Sequence, residues 1–205
     1  MFLLAILAGM LISFGCVVNI ACGGGPVGAL LFSVGLYGVL ASGLWLFTGK
    51  AGLLATKEIK PLSLVTVFLG NWIGCFAVSA LRFVTSRSEA LIGFGTAVTQ
   101  IRIDNGFFWN IVLGIFCGIL MYIAVSGFKS CPIIVPFCVS GFILAGFNHS
   151  IADSFYLLVS EYELYPMGLL MLLGTTIGNL IGCNLIPLSQ RVHRYLGGSR
   201  SADEQ

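Results

Sequence analysis

His149 is the one histidine that falls within a predicted membrane span, because His193 lies in a basic C-terminal segment. An ionisable side chain at membrane depth is costly and by default marks a solute or proton path. Modest changes in surroundings also switch the charge of an imidazole near neutral pH. We interpret His149 as the first candidate for contact with a transported solute, the structural alternative being a ring held by a neighbouring carbonyl.

Thr48 lies in a second polar interruption, Leu46-Phe47-Thr48-Gly49-Lys50, and offers a hydroxyl group. A half-helix that restarts after such an interruption directs its free N–H groups and its positive dipole end toward whatever precedes it. The same geometry follows His149, so two helix N-termini are predicted to face a pore centre from opposite sides. That arrangement attracts anions, while a simple N-cap is the structural alternative for Thr48.

Three further asparagines lie within apolar stretches. Asn110 faces either a lumen or a neighbouring helix through an interhelical hydrogen bond. Asn71 and Asn179 each sit inside a Gly-x-x-x-Gly frame, where helices approach closely, and we interpret both as structural tethers of the broken segments.

The composition requires that these residues be held in a lipid-embedded chain. Of 205 residues, 58% are hydrophobic and 9% are charged, which leaves too little polar surface for a soluble domain. Ten basic and eight acidic residues form no basic face, so nucleic-acid binding is excluded. The seven cysteines show neither CxxC spacing nor a nearby histidine, and we predict no metal, cofactor or disulfide.

Six apolar stretches are long enough to cross a bilayer, and they predict an all-α integral membrane protein. The predicted spans are 2–22, 27–48, 62–83, 106–128, 131–158 and 166–188. Lys and Arg are more numerous in the loops that share a side with the termini, which favours cytoplasmic termini in a plasma (inner) membrane. Residues 191–205 are then a cytoplasmic tail.

An internal repeat organises these spans. Gly70-Asn71-Trp72-Ile73-Gly74-Cys75 recurs as Gly178-Asn179-Leu180-Ile181-Gly182-Cys183, with five of six positions identical. The offset of three spans predicts two inverted three-helix repeats, about 1–84 and 105–190, within one channel domain of residues 1–190. Paired breaks in the second and fifth spans are the usual pointer to a midplane binding site.

At these residues the sequence resembles the formate/nitrite transporter family. The similar segments are Leu46-Phe47-Thr48-Gly49, Gly70–Gly74, Gly141–Ala152 with its Asn148-His149-Ser150-Ile151-Ala152, and Thr176–Gly182. No Asn-Pro-Ala triplet is present, which argues against a true aquaporin despite the similar fold that the resemblance implies.

The resemblance implies a homopentamer in the lipid bilayer whose protomers each pass a small monovalent anion, with formate, nitrite and hydrosulfide as candidates. By position, His149 resembles the central pore histidine, Thr48 the loop threonine and Asn110 a pore-lining asparagine. Matching apolar constrictions are Phe32, Leu36, Phe47 and Phe142. The implied mechanism is that an anion takes a proton near His149 and passes as the neutral acid.

Two departures from the family pattern affect the predicted pore. Asn148 stands where the family usually has Glu, and we place this side chain in the pore beside the histidine. No lysine occurs in residues 88–106, where Arg102 is a candidate replacement for the pore-facing lysine that many family members carry.

Two alternative functions stay open from the sequence. One is a channel for neutral solutes, for which flux would be insensitive to pH. The other is a membrane-embedded enzyme, which would turn over its substrate.

Overall fold

The protein is described by a computed structural model that covers the backbone of residues 1–202 and the side chains of residues 1–196. The described residues form helices and no strands. The helices are α1 (Phe2–Ala21), α2 (Gly25–Ala41), α3 (Phe47–Ala51), α4 (Pro61–Ser79), α5 (Ser88–Gly127), α6 (Ile134–Leu144), α7 (Ser150–Val159) and α8 (Tyr165–Ala202). Short 3₁₀ turns occupy Gly52–Leu54, Ala80–Phe83 and Tyr162–Leu164.

By length and composition, four helical segments can cross a membrane, namely Phe2–Ala21, Pro61–Phe83, Ser88–Gly127 and Tyr162–Leu196. The outward faces of the helices carry large apolar side chains, of which Leu62, Phe108 and Phe137 are more than 60% exposed. Such a surface suits hydrocarbon rather than water. The predicted all-α integral membrane fold is thus confirmed.

Two helices, α2 and α6, end in the same way at matching positions. In each, a glycine with positive φ follows the C-cap: Gly43 at φ 63° and Gly146 at φ 72°. The next residue then donates back to the helix, from Leu44 N to Val39 O and from Phe147 N to Phe142 O, each at 2.9 Å. These are Schellman endings, for which glycine is the favoured residue.

Helix α4 packs closely on α1, and α8 packs closely on α5. A Cβ atom at Gly74 would overlap the backbone of α1 at Ile6, and one at Gly182 would overlap the backbone of α5 at Ile115. The Gly-x-x-x-Gly frames therefore serve close backbone approach, as the sequence predicts.

Three boundaries differ from the sequence-based expectations. The second span is broken at residues 42–46 rather than within Leu46–Lys50, because Gly43 ends α2 and α3 already begins at Phe47. The fourth span is preceded by a helical segment that starts at Ser88 and is kinked at Gly106. Helix α8 continues through the predicted tail to Ala202, while residues 203–205 lie outside the described part.

Candidate functional site

His149 is the N-cap of α7 and holds both ring nitrogens in hydrogen bonds. The backbone N–H of Ala152 donates to Nδ1 at 3.1 Å. Because Nδ1 accepts, the proton of the neutral ring is on Nε2, which donates to Thr48 Oγ1 at 3.0 Å. His149 and Thr48 are 2% and 1% exposed, so this contact between the two halves of the chain is shielded.

Two cavities approach this hydrogen bond. One, of about 260 Å³, has His149, Arg102 and Asp153 in its wall, and we call it the Arg102 cavity. The other, of about 200 Å³, has Thr48 and Tyr122 in its wall, and we call it the Tyr122 cavity. The imidazole and the hydroxyl therefore lie at the boundary between two internal spaces.

Asn71 and Asn179 make matching hydrogen bonds to the two breaks. Asn71 Oδ1 accepts from Phe47 N at 2.7 Å, and its Nδ2 donates to Trp45 O at 2.9 Å. Asn179 Oδ1 accepts from Ser150 N at 2.8 Å, and its Nδ2 donates to Asn148 O at 2.8 Å. Each amide satisfies backbone groups that a broken helix leaves unpaired.

A second set of matching contacts runs between the halves. The thiol of Cys75 in α4 donates to Ile151 O in α7, and the thiol of Cys183 in α8 donates to Thr48 O in α3, both at 3.4 Å. Thus α4 and α8 each hold the break of their own half and the short helix of the other.

Asn110 and Asn148 are not among the lining residues of either cavity. For Asn110 this agrees with the hydrogen-bonded alternative, and the pore role of both residues stays a prediction. Both are fully buried, and Asn148 Nδ2 donates to Asn110 Oδ1 at 2.7 Å. Asn110 Nδ2 in turn donates to Arg102 O at 2.6 Å and Gly106 O at 2.8 Å. The pair joins the α5 kink to the α6–α7 break, because Gly106 interrupts the helical bonding there and leaves carbonyls to be satisfied.

The predicted constriction residues lie in different environments. Phe32 and Phe142 line the Arg102 cavity, with an edge-to-face ring contact at 6.2 Å and with Phe142 stacked on the His149 ring at 5.6 Å. Leu36 is buried, at 1% exposure, and is not among the lining residues of either cavity. Phe47 lies against Phe68 at a groove between α4 and α8 and is not among the lining residues of either cavity, and its role in a constriction stays a prediction.

Asp153 is a feature of the Arg102 cavity that the sequence analysis missed. Its Oδ1 atom is 3.3 Å from Arg102 Nη2, the single ion pair among the described residues. Asn19 and Tyr156 add polar groups to the same wall, where Asn19 Nδ2 lies 3.5 Å from Tyr156 Oη. The i, i+4 spacing from His149 to Asp153 puts both on one face of α7 and was the available signal.

The described residues contain no cluster of three or more His, Cys, Asp or Glu side chains that could hold a metal ion. Some of their polar groups instead line two cavities, which the His149–Thr48 contact separates. Fold and site together define a polytopic membrane protein with two cavities on either side of a buried hydrogen bond between His149 and Thr48.

The comparison with known families identifies this class. The formate/nitrite transporter family model matches residues 1–189, and the chain belongs to that family of membrane transport proteins. No curated protein sequence matches the chain.

Two solved structures share the fold. A structure described as a pentameric formate channel with formate bound is 23% identical, with a TM-score of 0.78 over 95% of this chain and 96% of that chain. A structure described as an FNT family ion channel is 20% identical, with a TM-score of 0.78 over 94% of this chain and 89% of that chain.

Proposed function

We propose that the protein is a channel or proton-coupled transporter for small monovalent anions, of which formate is the first candidate and nitrite and hydrosulfide the next. The observation that carries the proposal is the His149–Thr48 hydrogen bond at the boundary between the two cavities. Family membership supports transport, and the shared fold with a structure described as a formate channel supports formate as substrate. We further propose a homopentamer in the plasma membrane with cytoplasmic termini.

The wall beside His149 favours passage of a neutral molecule. Phe142 stacks on the ring and Phe32 packs edge-on against Phe142, and a bare anion beside such apolar surface loses most of its solvation. A protonated formate has no net charge and retains one donor and one acceptor. We therefore propose that the anion is neutralised in the Arg102 cavity and crosses as the acid.

His149 and Thr48 are suited to pass such a molecule from one cavity to the other. Nε2–H is a donor held in place by the N-cap bond of Nδ1 to Ala152 N. Since the Thr48 oxygen accepts from that donor, its own O–H is left to donate toward the Tyr122 cavity. A small acid that replaces the Thr48 contact would find a donor on each side of the boundary.

Stopped-flow influx into proteoliposomes tests the proposal, with formate, nitrite and hydrosulfide measured across pH. His149→Asn keeps a short acceptor for Ala152 N but cannot reach Thr48, and Thr48→Val removes the hydroxyl at nearly constant shape. Both variants should lower anion-dependent influx about tenfold or more, as loss of one positioned hydrogen bond in a transition state does. Thr66→Val is the matched control, because Thr66 bonds to Leu62 O within α4, away from both cavities.

Wild-type influx in His149→Asn would remove the proposed role of the imidazole. Flux of water or glycerol that ignores pH and is unaccompanied by anion flux would replace the proposal with the neutral-solute alternative. The proposed pentamer is tested separately by native mass spectrometry of the detergent-solubilised protein, where any other dominant stoichiometry contradicts it.

A further inference from the structure

The Arg102–Asp153 pair in the Arg102 cavity is held by one carboxylate oxygen only. Arg102 Nη2 and Nε both approach Oδ1, at 3.3 and 3.4 Å, longer than the 2.7–2.9 Å usual for charge-assisted hydrogen bonds. The second oxygen, Oδ2, is buried and makes no hydrogen bond of normal geometry among the described residues, although the Thr175 hydroxyl faces the same carboxyl group. The carboxylate is therefore loosely held and has one oxygen free to carry a proton.

His149 is poorly placed to carry that proton itself. A second proton on its ring would have to sit on Nδ1, which already accepts from Ala152 N–H, so protonation would break the N-cap of α7. Asp153 lies one turn further along α7, where its backbone N–H donates to His149 O at 2.8 Å. Its side chain faces the same cavity.

The groups that face Asp153 come from four helices. Arg102 and the Cys117 thiol belong to α5, the Cys16 thiol to α1 and the Thr175 hydroxyl to α8, while Tyr156 is on α7 itself. Among these groups in the described part of the chain, only Arg102 carries a positive charge. A ligand that occupies Arg102 thus removes the one positive charge that balances the carboxylate.

We propose that Asp153 is the proton carrier of transport: an anion that binds Arg102 displaces the Asp153 carboxylate, which takes up the proton that the anion then carries past His149. This inference rests on the proposed function and names the group that supplies its proton. In the first step, hydronium in the cavity gives a proton to Asp153, because a buried carboxylate without its partner is costly in the charged form. In the second, the Asp153 O–H bond breaks, an O–H bond forms on formate, and the carboxylate returns to Arg102.

The balance of these steps is one anion and one proton taken from the bulk for each neutral acid that crosses. No electrons move, and the protein ends as it began. The exchange also predicts that Asp153 competes with the anion for Arg102, which lowers the affinity of the cavity and lets bound anion leave.

The test measures formate influx and internal acidification together in pyranine-loaded proteoliposomes, over a range of pH and formate concentration. Asp153→Asn should lower the maximal rate roughly 100-fold, the lower end of what a positioned acid contributes, and should flatten its pH dependence. The half-saturating formate concentration should fall, since Arg102 no longer has an internal competitor. Asp104→Asn is the control, because Asp104 is exposed on α5 and bonds to Gln100.

Asp153→Glu keeps a carboxyl group and should retain proton-coupled influx at an altered rate, which covers the case in which Asp153→Asn does not assemble. A wild-type rate and pH profile in folded Asp153→Asn, or uncoupled flux in folded Asp153→Glu, would overturn the assignment while anion transport itself stands. Absence of formate, nitrite and hydrosulfide flux in the wild-type protein would instead contradict the proposed function.

Discussion

Replacing Asn179 by leucine should destabilise the protein and disable transport together. The Asn179 side chain is fully buried and bonds to Ser150 N, Asn148 O and Gly114 O at 2.8, 2.8 and 2.9 Å. Leucine has similar bulk but leaves Ser150 N and Asn148 O unpaired, whereas Gly114 O lies inside α5 and keeps its helical hydrogen bond. At about 0.6 kcal/mol for each of the three lost bonds in a membrane protein, and up to about 3 for each of the two orphaned backbone groups, the total is about 2–6 kcal/mol.

Thermal unfolding of the detergent-solubilised protein measures this loss. For a chain of this length, about 1 kcal/mol lowers the midpoint by about 2–4 °C, so we expect a decrease of about 4 °C or more. Asn179→Asp retains the acceptor for Ser150 N and should fall between the wild type and Asn179→Leu. Gln100→Leu removes one exposed side-chain bond to Asp104 and should change the midpoint little.

Asn71 makes the same kind of contacts in the first half of the chain and therefore provides a test of this prediction. Asn71 bonds to Phe47 N, Trp45 O and Ala5 O, so Asn71→Leu should cost about 2–6 kcal/mol as well. A large cost at one position and none at the other would show that these hydrogen bonds do not determine the stability of the breaks.

Two other predictions concern backbone conformation and orientation. Gly106 has φ 75° and ψ 164° with open space around it, so Gly106→Ala should lower the free energy of unfolding by about 1–3 kcal/mol, measured by thermal unfolding. The control is Gly93→Ala, at a helical glycine with equal space, which should stabilise the protein slightly. Equal effects of the two substitutions would contradict the argument that Gly106 is required for the kink. Cys22 and Cys131 are exposed in loops that the predicted topology puts on opposite sides. An impermeant maleimide on intact cells should label Cys22 and spare Cys131, whereas the reverse pattern would invert the topology.

The sequence was most informative where chemistry and repetition coincide. Asn71 and Asn179 stand out because a polar side chain inside an apolar Gly-x-x-x-Gly frame requires a partner. The break before α7 was located because Asn148, His149 and Ser150 interrupt an apolar run. In both cases the free-energy cost of an unpaired polar group in lipid makes the position recognisable in the sequence.

The second break was misplaced because a stronger polar signal lay nearby. Thr48-Gly49-Lys50 resembles a loop, yet Thr48 and Lys50 lie within α3. The residue that ends the preceding helix is Gly43, whose neighbours are as apolar as the rest of the span. Its equivalence to Gly146 becomes visible only when the two breaks are superimposed by their backbone hydrogen bonds.

The i, i+4 spacing from His149 could have indicated Asp153, but its pairing with Arg102 could not be predicted from sequence because the two residues are 51 positions apart. Arg102 precedes a kink that depends on positive φ at Gly106, and a single glycine in a helical pattern does not specify such an angle. Asp153 looked like an ordinary position in a restarting helix. Tertiary packing alone turns these two charges into a pair.

The separation of His149 and Thr48 is set by helices that are remote from both residues in sequence. Helix α8 bonds to the α7 break through Asn179 and to Thr48 O through Cys183. Helix α4 holds the start of α3 through Asn71. These contacts close a ring in which neither short helix can shift without breaking bonds to α4 or α8. These contacts hold the boundary between the two cavities in place, so we expect the proposed path to open by exchange of hydrogen-bond partners at His149, Thr48 and the solute.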